Sequence, residues 1–145
     1  MEVTFRTATR DDLPDVVALI NQCFDEQNTV EYAVSEWERS GDDPHQIYIN
    51  GYLDGELVAH LKITIIPTIY DDMATYAMLN HVCVRPDVRR HHLGTKLLDE
   101  AFVACRDAGA TKVVLWSKNF REAAHAMYKK YGFEVVDAKF FERKI

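Results

Sequence analysis

Apolar residues alternate with polar ones over some stretches of this chain and recur at helical spacing over others. The alternation is cleanest over residues 57–66, as expected of a strand with one buried face. Shorter apolar stretches predict further strands over residues 3–7, 47–53, 75–84, 112–117 and 133–144. Asp54 and Gly55 separate two of these strands and predict a two-residue hairpin turn.

Four other stretches have the period of an amphipathic helix. The first is predicted to begin after a capping box formed by Thr9 and Asp12 and to continue to Phe24. The others are predicted over residues 30–39, 93–108 and 121–131. The resulting order, β-α-α-β-β-β-α-β-α-β, favours a mixed α/β sheet with helices on both faces.

Length and composition favour one globular domain over residues 1–145, because 48% of the residues are apolar. The net charge of −6 argues against a nucleic-acid partner and suits a cationic one. No apolar run approaches the roughly 18–20 residues that cross a bilayer, and the first residues do not resemble a signal peptide. Three widely spaced cysteines predict reduced thiols in a cytoplasmic protein, and neither they nor the histidines have the spacing of zinc ligands.

Residues 82–95 are the most informative segment, since an apolar strand there leads through a basic turn directly into an amphipathic helix. The turn contains Arg89, Arg90, His91 and His92, which belong to the one dense basic cluster of the sequence, residues 85–92. Backbone N–H groups and the helix dipole at such a position favour a phosphate or pyrophosphate group. These residues therefore predict an anion site at the start of the helix. A strand-to-helix crossover with a basic surface turn is the alternative.

The same segment resembles the acetyl-CoA-binding motif of the GNAT superfamily of N-acetyltransferases, V-x-P-x-x-R-x-x-G-x-G/A. Val84, Pro86, Arg89 and Gly94 match the motif, whereas His92 occupies the place of its first glycine. Arg90 also stands where a glycine is common in the family. The resemblance implies a GNAT-like fold of six to seven strands and about four helices, with acetyl-CoA as co-substrate. It implies coenzyme contacts from Val82, Cys83, Val84, Arg89, Arg90, His91, His92, Leu93, Gly94 and Thr95.

A second segment, residues 121–133, resembles the family pattern N-x-x-A-x-x-x-Y-x-x-x-G-F. The asparagine of the pattern falls on Arg121, and Asn119 lies two residues earlier, so both are candidate coenzyme contacts. Tyr128 matches the tyrosine that the family presents to the thioester sulfur. A phenol, with an ordinary pKa of about 10, can stabilise or protonate a departing thiolate. An ordinary core tyrosine is the alternative.

The proton of the attacking amine needs a route, because an alkyl amine is neutral to only about one part in 10³ near neutral pH. The strand position at which many relatives have a glutamate falls on Asn80, which cannot act as a base. His81 is therefore the predicted base, although only a bulge would turn its side chain into the cleft. His60, His125 and a chain of water molecules are the alternatives. The resemblance assigns the backbone of residues 80–84 to the acetyl carbonyl and the pantetheine arm.

The acceptor is predicted to be a small cationic amine, because carboxylates and aromatic rings fall in the segments that form substrate pockets in this family. The candidate contacts are Glu31, Trp37, Tyr70, Asp71 and Asn80. The favoured function is acetyl transfer from acetyl-CoA to a primary amine by direct attack in a ternary complex. A protein N-terminal or lysine acetyltransferase and a non-catalytic acyl-CoA-binding module are the alternatives. The resemblance also allows a homodimer.

Overall fold

The computed structural model describes residues 2–145, apart from the side chain of Arg90. The described strands are β1 (Val3–Thr7), β2 (Gln46–Leu53), β3 (Glu56–Ile66), β4 (Tyr76–Val84) and β5 (Val113–Val114). The described helices are α1 (Leu13–Phe24), α2 (Val30–Ser40), α3 (Leu93–Asp107) and α4 (Glu122–Tyr131). One short 3-10 helix, Arg10–Asp12, leads into α1, and another, Pro86–His91, leads into α3.

The strands form one mixed sheet in the order β1-β2-β3-β4-β5. Neighbours among the first four strands are antiparallel, and β5 is parallel to β4, which confirms the predicted α/β class. The β2–β3 hairpin turns at Asp54 and Gly55, with φ values of 52° and 84°. Positive φ at both central residues is what a two-residue hairpin turn requires.

The two faces of the sheet have different partners. Leu61 and Ile63 of β3 are fully buried and pack in one cluster with Leu97 and Leu98 of α3. Since successive side chains of a strand point to opposite faces, His60 and Lys62 point away from α3. Helix α1 contacts β3 and β4 from that second face, and a cavity described below lies beneath it.

The predicted C-terminal strand is wrong. Residues 133–145 form neither helix nor strand, and side chains expected to be buried are exposed, with Val135 at 81% and Phe141 at 85%. The apolar residues come as adjacent pairs, Val135 with Val136 and Phe140 with Phe141, so no single face of a strand collects them. The neighbouring strand is also shorter than predicted, since residues 112–117 contribute only Val113–Val114. The sheet of the described residues therefore has five strands instead of six to seven.

Candidate active site

A β-bulge in β4 changes the direction of His81. In the β3–β4 register His60 lies opposite Cys83 and Lys62 lies opposite Asn80, so two residues of β4 face the single residue Leu61. One of these two is His81, with a φ of 52°. A left-handed residue also occurs in one class of bulge, where it is usually glycine. The structure therefore supplies the bulge that the predicted role of His81 requires.

Two residues hold the side chain of His81. They are Phe24 at the end of α1 and Glu26 in the connection between α1 and α2. The His81 ring lies edge-on to Phe24, with centroids 4.9 Å apart. Its Nε2 lies 3.2 Å from both carboxylate oxygens of Glu26. Although burial opposes ionisation, hydrogen bonds from Asn28 and His81 lower the pKa of Glu26. An ionised carboxylate can only accept, so Nε2–H donates to Glu26, and in the neutral ring the lone pair is on Nδ1.

The edge of β4 that faces β5 is open over its C-terminal half. Pairing with β5 is confined to Ala77 with Val113 and Met78 with Val114. In the described residues, no strand pairs with this edge from Leu79 to Val84, so its backbone N–H and C=O groups other than the Val84 carbonyl are available to a ligand. An extended arm that carries amide groups, such as pantetheine, fits this edge as an added strand would.

Side chains from three elements surround this open edge and form what we call the edge groove, lined by Cys23, Phe24, Arg89, Arg121 and residues 79–84. Arg89 Nε donates to the Val84 carbonyl over 3.0 Å, and Cys23 Sγ lies 3.6 Å from the same oxygen. The guanidinium of Arg121 stacks 4.7 Å from the Phe24 ring centroid. The edge groove therefore combines open backbone groups with two arginines, a set that suits an anionic ligand with an amide arm.

Two cysteines meet in the edge groove. Cys23 Sγ donates to the Val84 carbonyl and Cys83 Sγ donates to the His60 carbonyl, each over 3.6 Å. The neighbouring Cys83 thiol lowers the pKa of Cys23 to about 7 even though burial opposes it, and the positive charges of Arg89 and Arg121 act in the same direction. The neighbouring Cys23 thiol, together with burial, raises the pKa of Cys83 well above its usual value. Cys23 is therefore the thiol of this pair that ionises first.

We expect iodoacetamide to alkylate Cys23 at a rate that rises with pH around a midpoint near 7, because the thiolate is the nucleophile. Cys105 should stay unmodified, since burial raises its pKa to about 11. Peptide mapping by mass spectrometry against pH measures both rates. Acetyl-CoA should protect Cys23, and Cys23→Ser should remove the adduct. A midpoint at the ordinary thiol value, about 8.5, would contradict the assignment.

The basic turn ends at His92, which has φ 57° and ψ 26° and is the N-cap of α3. This left-handed conformation is one that glycine adopts at little cost, which explains why a glycine is common here in the family motif. The His91 and His92 rings are exposed, whereas Leu93 is fully buried. The first-turn N–H groups of α3 follow directly, as an anion site requires. The predicted contact of the Arg90 side chain lies outside the described residues.

Gly94, which matches the second glycine of the motif, occupies a position that has no room for a side chain. A Cβ added there would lie 2.5 Å from Sδ of Met127, so a side chain at this position would displace the α4 residue. The glycine thus lets the start of α3 approach α4 closely. Thr95 is exposed one residue later, in the first turn of α3.

We expect His92→Gly to weaken acetyl-CoA binding by about 10-fold or more, the worth of one hydrogen bond to a charged phosphate, and to leave the KM for the amine unchanged. Stability should change by less than about 1 kcal/mol, since relief of the left-handed conformation is offset by a more flexible unfolded chain. Isothermal titration with acetyl-CoA and a thermal melt measure the two effects. Unchanged affinity would place His92 outside the pyrophosphate site.

Tyr128 belongs to the core and lies next to the edge groove. Its ring packs edge-on against Phe133, with centroids 5.7 Å apart, and the residue is buried. Burial raises the pKa of Tyr128, the nearby Cys83 adds to the rise, and Arg121 opposes it. A protonated phenol therefore lies beside the open edge of β4.

The two other predicted coenzyme contacts lie at the start of α4. Arg121 is the N-cap of α4, and Asn119 is exposed in the turn before it.

A cavity of about 250 Å³ lies between α1, α2 and the sheet and is called the α1–α2 cavity here. Its wall is mainly apolar and includes Leu13, Val16, Val17, Ile20, Trp37 and Tyr48. Trp37 and Tyr48 pack together with ring centroids 5.7 Å apart. Glu36, His60 and His81 contribute polar groups. His81 also adjoins the edge groove through Phe24, so the cavity and the edge groove meet at this residue.

The structure brings only part of the predicted acceptor set to this cavity. Trp37 lines it, and Asn80 lies on β4 next to His81, half-buried. Glu31, Tyr70 and Asp71 do not line it, and all three are exposed.

Sequence patterns did not identify two residues beside the cavity. Tyr48 lines it, and Asn50 is fully buried behind it. Both residues occupy alternate positions of β2 and point to the face opposite the apolar Ile49. This alternation is the pattern in the sequence that could have identified them.

Among the described residues, no helix is long and apolar enough to cross a membrane. In the same part of the chain, no group of three histidines, cysteines or carboxylates is close enough to hold a metal ion.

Comparison with solved structures finds the same fold in N-acetyltransferases of low sequence identity. An aminoglycoside 6'-N-acetyltransferase from Acinetobacter baumannii is 19% identical, with a TM-score of 0.81 and coverage of 99% of both chains. A glucosamine-6-phosphate N-acetyltransferase from Arabidopsis thaliana is 16% identical, with a TM-score of 0.82 and the same coverage. An aminoglycoside N-acetyltransferase in complex with CoA is 15% identical, with a TM-score of 0.86 and coverage of 99% of this chain and 95% of that one.

The sequence comparison is decisive for the family. Residues 13–133 match the model described as the acetyltransferase (GNAT) family, which is most of the chain. The match includes the open edge of β4, the basic turn and α4. The predicted family and co-substrate are thereby confirmed. The chain belongs to the GNAT family and is an acetyl-CoA-dependent N-acetyltransferase.

Proposed function

We propose that residues 1–145 form one domain that transfers the acetyl group of acetyl-CoA to a small primary amine. The observation that carries this proposal is the α1–α2 cavity, a space of about 250 Å³ that meets the open edge of β4 at His81. An amine held in this cavity has its reactive nitrogen at the junction with the coenzyme site.

The size and lining of the cavity favour a small amine over a peptide. Its volume of about 250 Å³ is below the roughly 300–1,000 Å³ typical of drug-sized ligand sites, and Trp37 of α2 packs against Tyr48 of β2 in its wall. Trp37 and Tyr48 offer aromatic faces to a cationic amine, and Glu36 offers a carboxylate. Contacts from Glu31, Tyr70 and Asp71 remain predictions, as does a contact from Asn80.

The coenzyme would be held by the edge groove and the basic turn. The backbone of Val82, Cys83 and Val84 offers hydrogen-bonding groups along the open edge. The pyrophosphate group suits the first turn of α3 and the basic residues before it. The proposed further contacts are Arg89, Arg90, His91, His92, Leu93, Gly94, Thr95, Asn119, Arg121 and Tyr128.

In the proposed mechanism the coenzyme supplies the acetyl group as a thioester. His81 accepts the proton of the amine at Nδ1, while Glu26 fixes the ring through Nε2. Backbone N–H groups of residues 80–84 donate to the carbonyl oxygen as negative charge develops, and one such donor contributes on the order of 10²–10³ in rate. Tyr128 donates its phenolic proton toward the departing sulfur.

A thiol-release assay with acetyl-CoA tests the proposal against a panel of alkyl amines, amino alcohols, polyamines, aminoglycosides, amino acids, aminoalkylphosphonates and short peptides. We expect amine-dependent release of coenzyme A with small amines and none in a reaction without an amine. Turnover confined to peptides would favour the protein acetyltransferase alternative. Binding of acetyl-CoA without turnover of any amine would favour the non-catalytic alternative.

A further inference from the structure

A chain of hydrogen bonds connects the surface of the protein to the floor of the α1–α2 cavity. Asn50 and His60 lie opposite each other in the β2–β3 register and are 0% and 1% exposed. They are the buried polar side chains of the described residues. A buried polar group left without a partner costs about 1–3 kcal/mol, so the fold must satisfy both. It does so through Tyr52 and Asp12.

The carboxylate of Asp12, at the outer end of this hydrogen-bonded chain, determines which group donates in each of its hydrogen bonds. Arg6 makes a two-pronged ion pair with Asp12, at 2.7 and 2.8 Å, which holds the pKa of that carboxyl well below its usual range. An ionised carboxylate only accepts, so the Tyr52 hydroxyl donates to Asp12 Oδ1 over 3.2 Å. The Tyr52 oxygen in turn accepts from Asn50 Nδ2 over 3.1 Å.

The inner end of the chain follows from the same reasoning. With its amide nitrogen donating to Tyr52, Asn50 presents Oδ1 to His60 Nδ1 at 2.7 Å. An amide oxygen can only accept, so Nδ1 of His60 carries the proton and Nε2 carries a lone pair. Among the described residues, Nε2 makes no hydrogen bond. Every side-chain nitrogen or oxygen there that is fully enclosed by protein does make one, so Nε2 is not fully enclosed. Nε2 is therefore open to the cavity that the His60 ring lines.

We propose that Nε2 of His60 is a fixed hydrogen-bond acceptor that selects amines carrying a second donor, a hydroxyl or an N–H group, beside the reacting nitrogen. This inference rests on the proposed function, since it assigns a recognition group to the same acceptor cavity. The reacting nitrogen lies at His81, and the second donor reaches deeper to His60. Adjacent strands are about 4.8 Å apart, so a donor about two or three carbons from the amine can contact both rings.

His60 is not suited to be the base. Burial lowers the pKa of His60 to about 4, and the nearby His81 adds to the shift. An alkyl ammonium with a pKa of about 10.4 would not transfer its proton to such a group. Near neutral pH the ring is uncharged and can only accept a hydrogen bond at Nε2. His60 is therefore expected to affect the choice of amine and to leave the pH profile of the reaction unchanged.

Matched pairs of amines test this inference. Each pair joins a 1,2- or 1,3-amino alcohol with the amine of the same length that has a methyl group in place of the hydroxyl. We expect the wild-type enzyme to favour the amino alcohol by about 10-fold or more in kcat/KM, because the buried acceptor is left unpaired by the other amine. In His60→Leu the ratio should fall to about one. His60→Gln, which keeps an acceptor oxygen, should restore part of the preference.

A second measurement keeps the inference testable if His60→Leu does not fold. Long-range ¹H–¹⁵N spectra of the wild-type protein with coenzyme A bound should show the Nδ1–H tautomer of His60. The amino alcohol should shift the Nε2 resonance and the deoxy amine should not. Tyr52→Phe removes the oxygen that orients Asn50 and should give mixed tautomers.

The outcomes separate the two proposals. Turnover of amines without any preference within the pairs would overturn the role of His60 and leave the proposed function intact. If amino alcohols shift the Nε2 resonance but no amine is turned over, the role of His60 stands and the proposed function is overturned. An Nε2–H tautomer in the wild-type protein would also overturn the inference, because that nitrogen would then be a donor.

Discussion

Replacing Tyr128 by phenylalanine is expected to lower kcat by about 10-fold or more, with little change in the affinity for acetyl-CoA. Phenylalanine keeps the ring that packs against Phe133 and removes only the hydroxyl beside the edge of β4. The loss should therefore fall on the departure of the sulfur, which requires a proton, and not on ground-state binding. Steady-state kinetics and isothermal titration with acetyl-CoA measure the two quantities separately.

The raised pKa of Tyr128 makes this prediction sharper. A phenol acts as an acid only below its pKa, and burial moves that pKa upward from about 10. The wild-type kcat should therefore not fall on account of this group from neutral pH to about pH 9.

Tyr131→Phe is the matched control for Tyr128. The Tyr131 hydroxyl is bonded to Asp99 at 2.6 Å, outside the edge groove, and its pKa is raised to about 12. This variant should retain activity. Equal activity of Tyr128→Phe and the wild-type enzyme would show that Tyr128 serves packing alone.

Replacing His81 by glycine is expected to lower kcat/KM by about 10²-fold near neutral pH. Glycine is the appropriate substitution because residue 81 has a positive φ, which glycine adopts without strain, so the bulge is retained. The deficit should shrink as the pH rises toward the pKa of the amine, about 10.4, because a neutral amine can attack without first losing a proton. The pH profiles of kcat/KM for both proteins measure this effect.

Glu26→Gln is the accompanying variant for His81. It keeps a hydrogen-bonding side chain near Nε2 but removes the charge that fixes the ring as a donor. An intermediate loss is expected. A deficit of the same size at every pH would show that His81 shapes the strand without accepting the proton. No deficit in His81→Gly would favour proton removal through water.

Local patterns predicted most of the fold. Asp54 and Gly55 define their turn through their own conformational preferences, and the helical stripes of α1 and α3 require only their own sequence. The C-terminal strand was mispredicted because a strand also needs a neighbour with a free edge of sufficient length. Val113–Val114 offers only two residues.

The candidate site was predicted less completely because it depends on register. His81 points to the cavity only because of the bulge in the β3–β4 pairing. The pairing of two strands cannot be predicted from the sequence of either strand alone. Asn50, His60 and Tyr52 each look like ordinary strand residues until β2 and β3 are paired. The motif residues from Val84 to Gly94 and Tyr128 were found because they share a pattern with known proteins.

The hydrogen-bonded chain from Arg6 to His60 has a consequence for the comparison of relatives. Asp12 and Tyr52 do not line the α1–α2 cavity, yet the hydrogen bond between them decides which atom His60 presents there. Two relatives with identical cavity walls can therefore differ in substrate when one of them has lost the Asp12 carboxylate or the Tyr52 hydroxyl. Substrate assignment across the family from wall residues alone would group such proteins together, and the divergence would be recorded at positions outside the cavity instead.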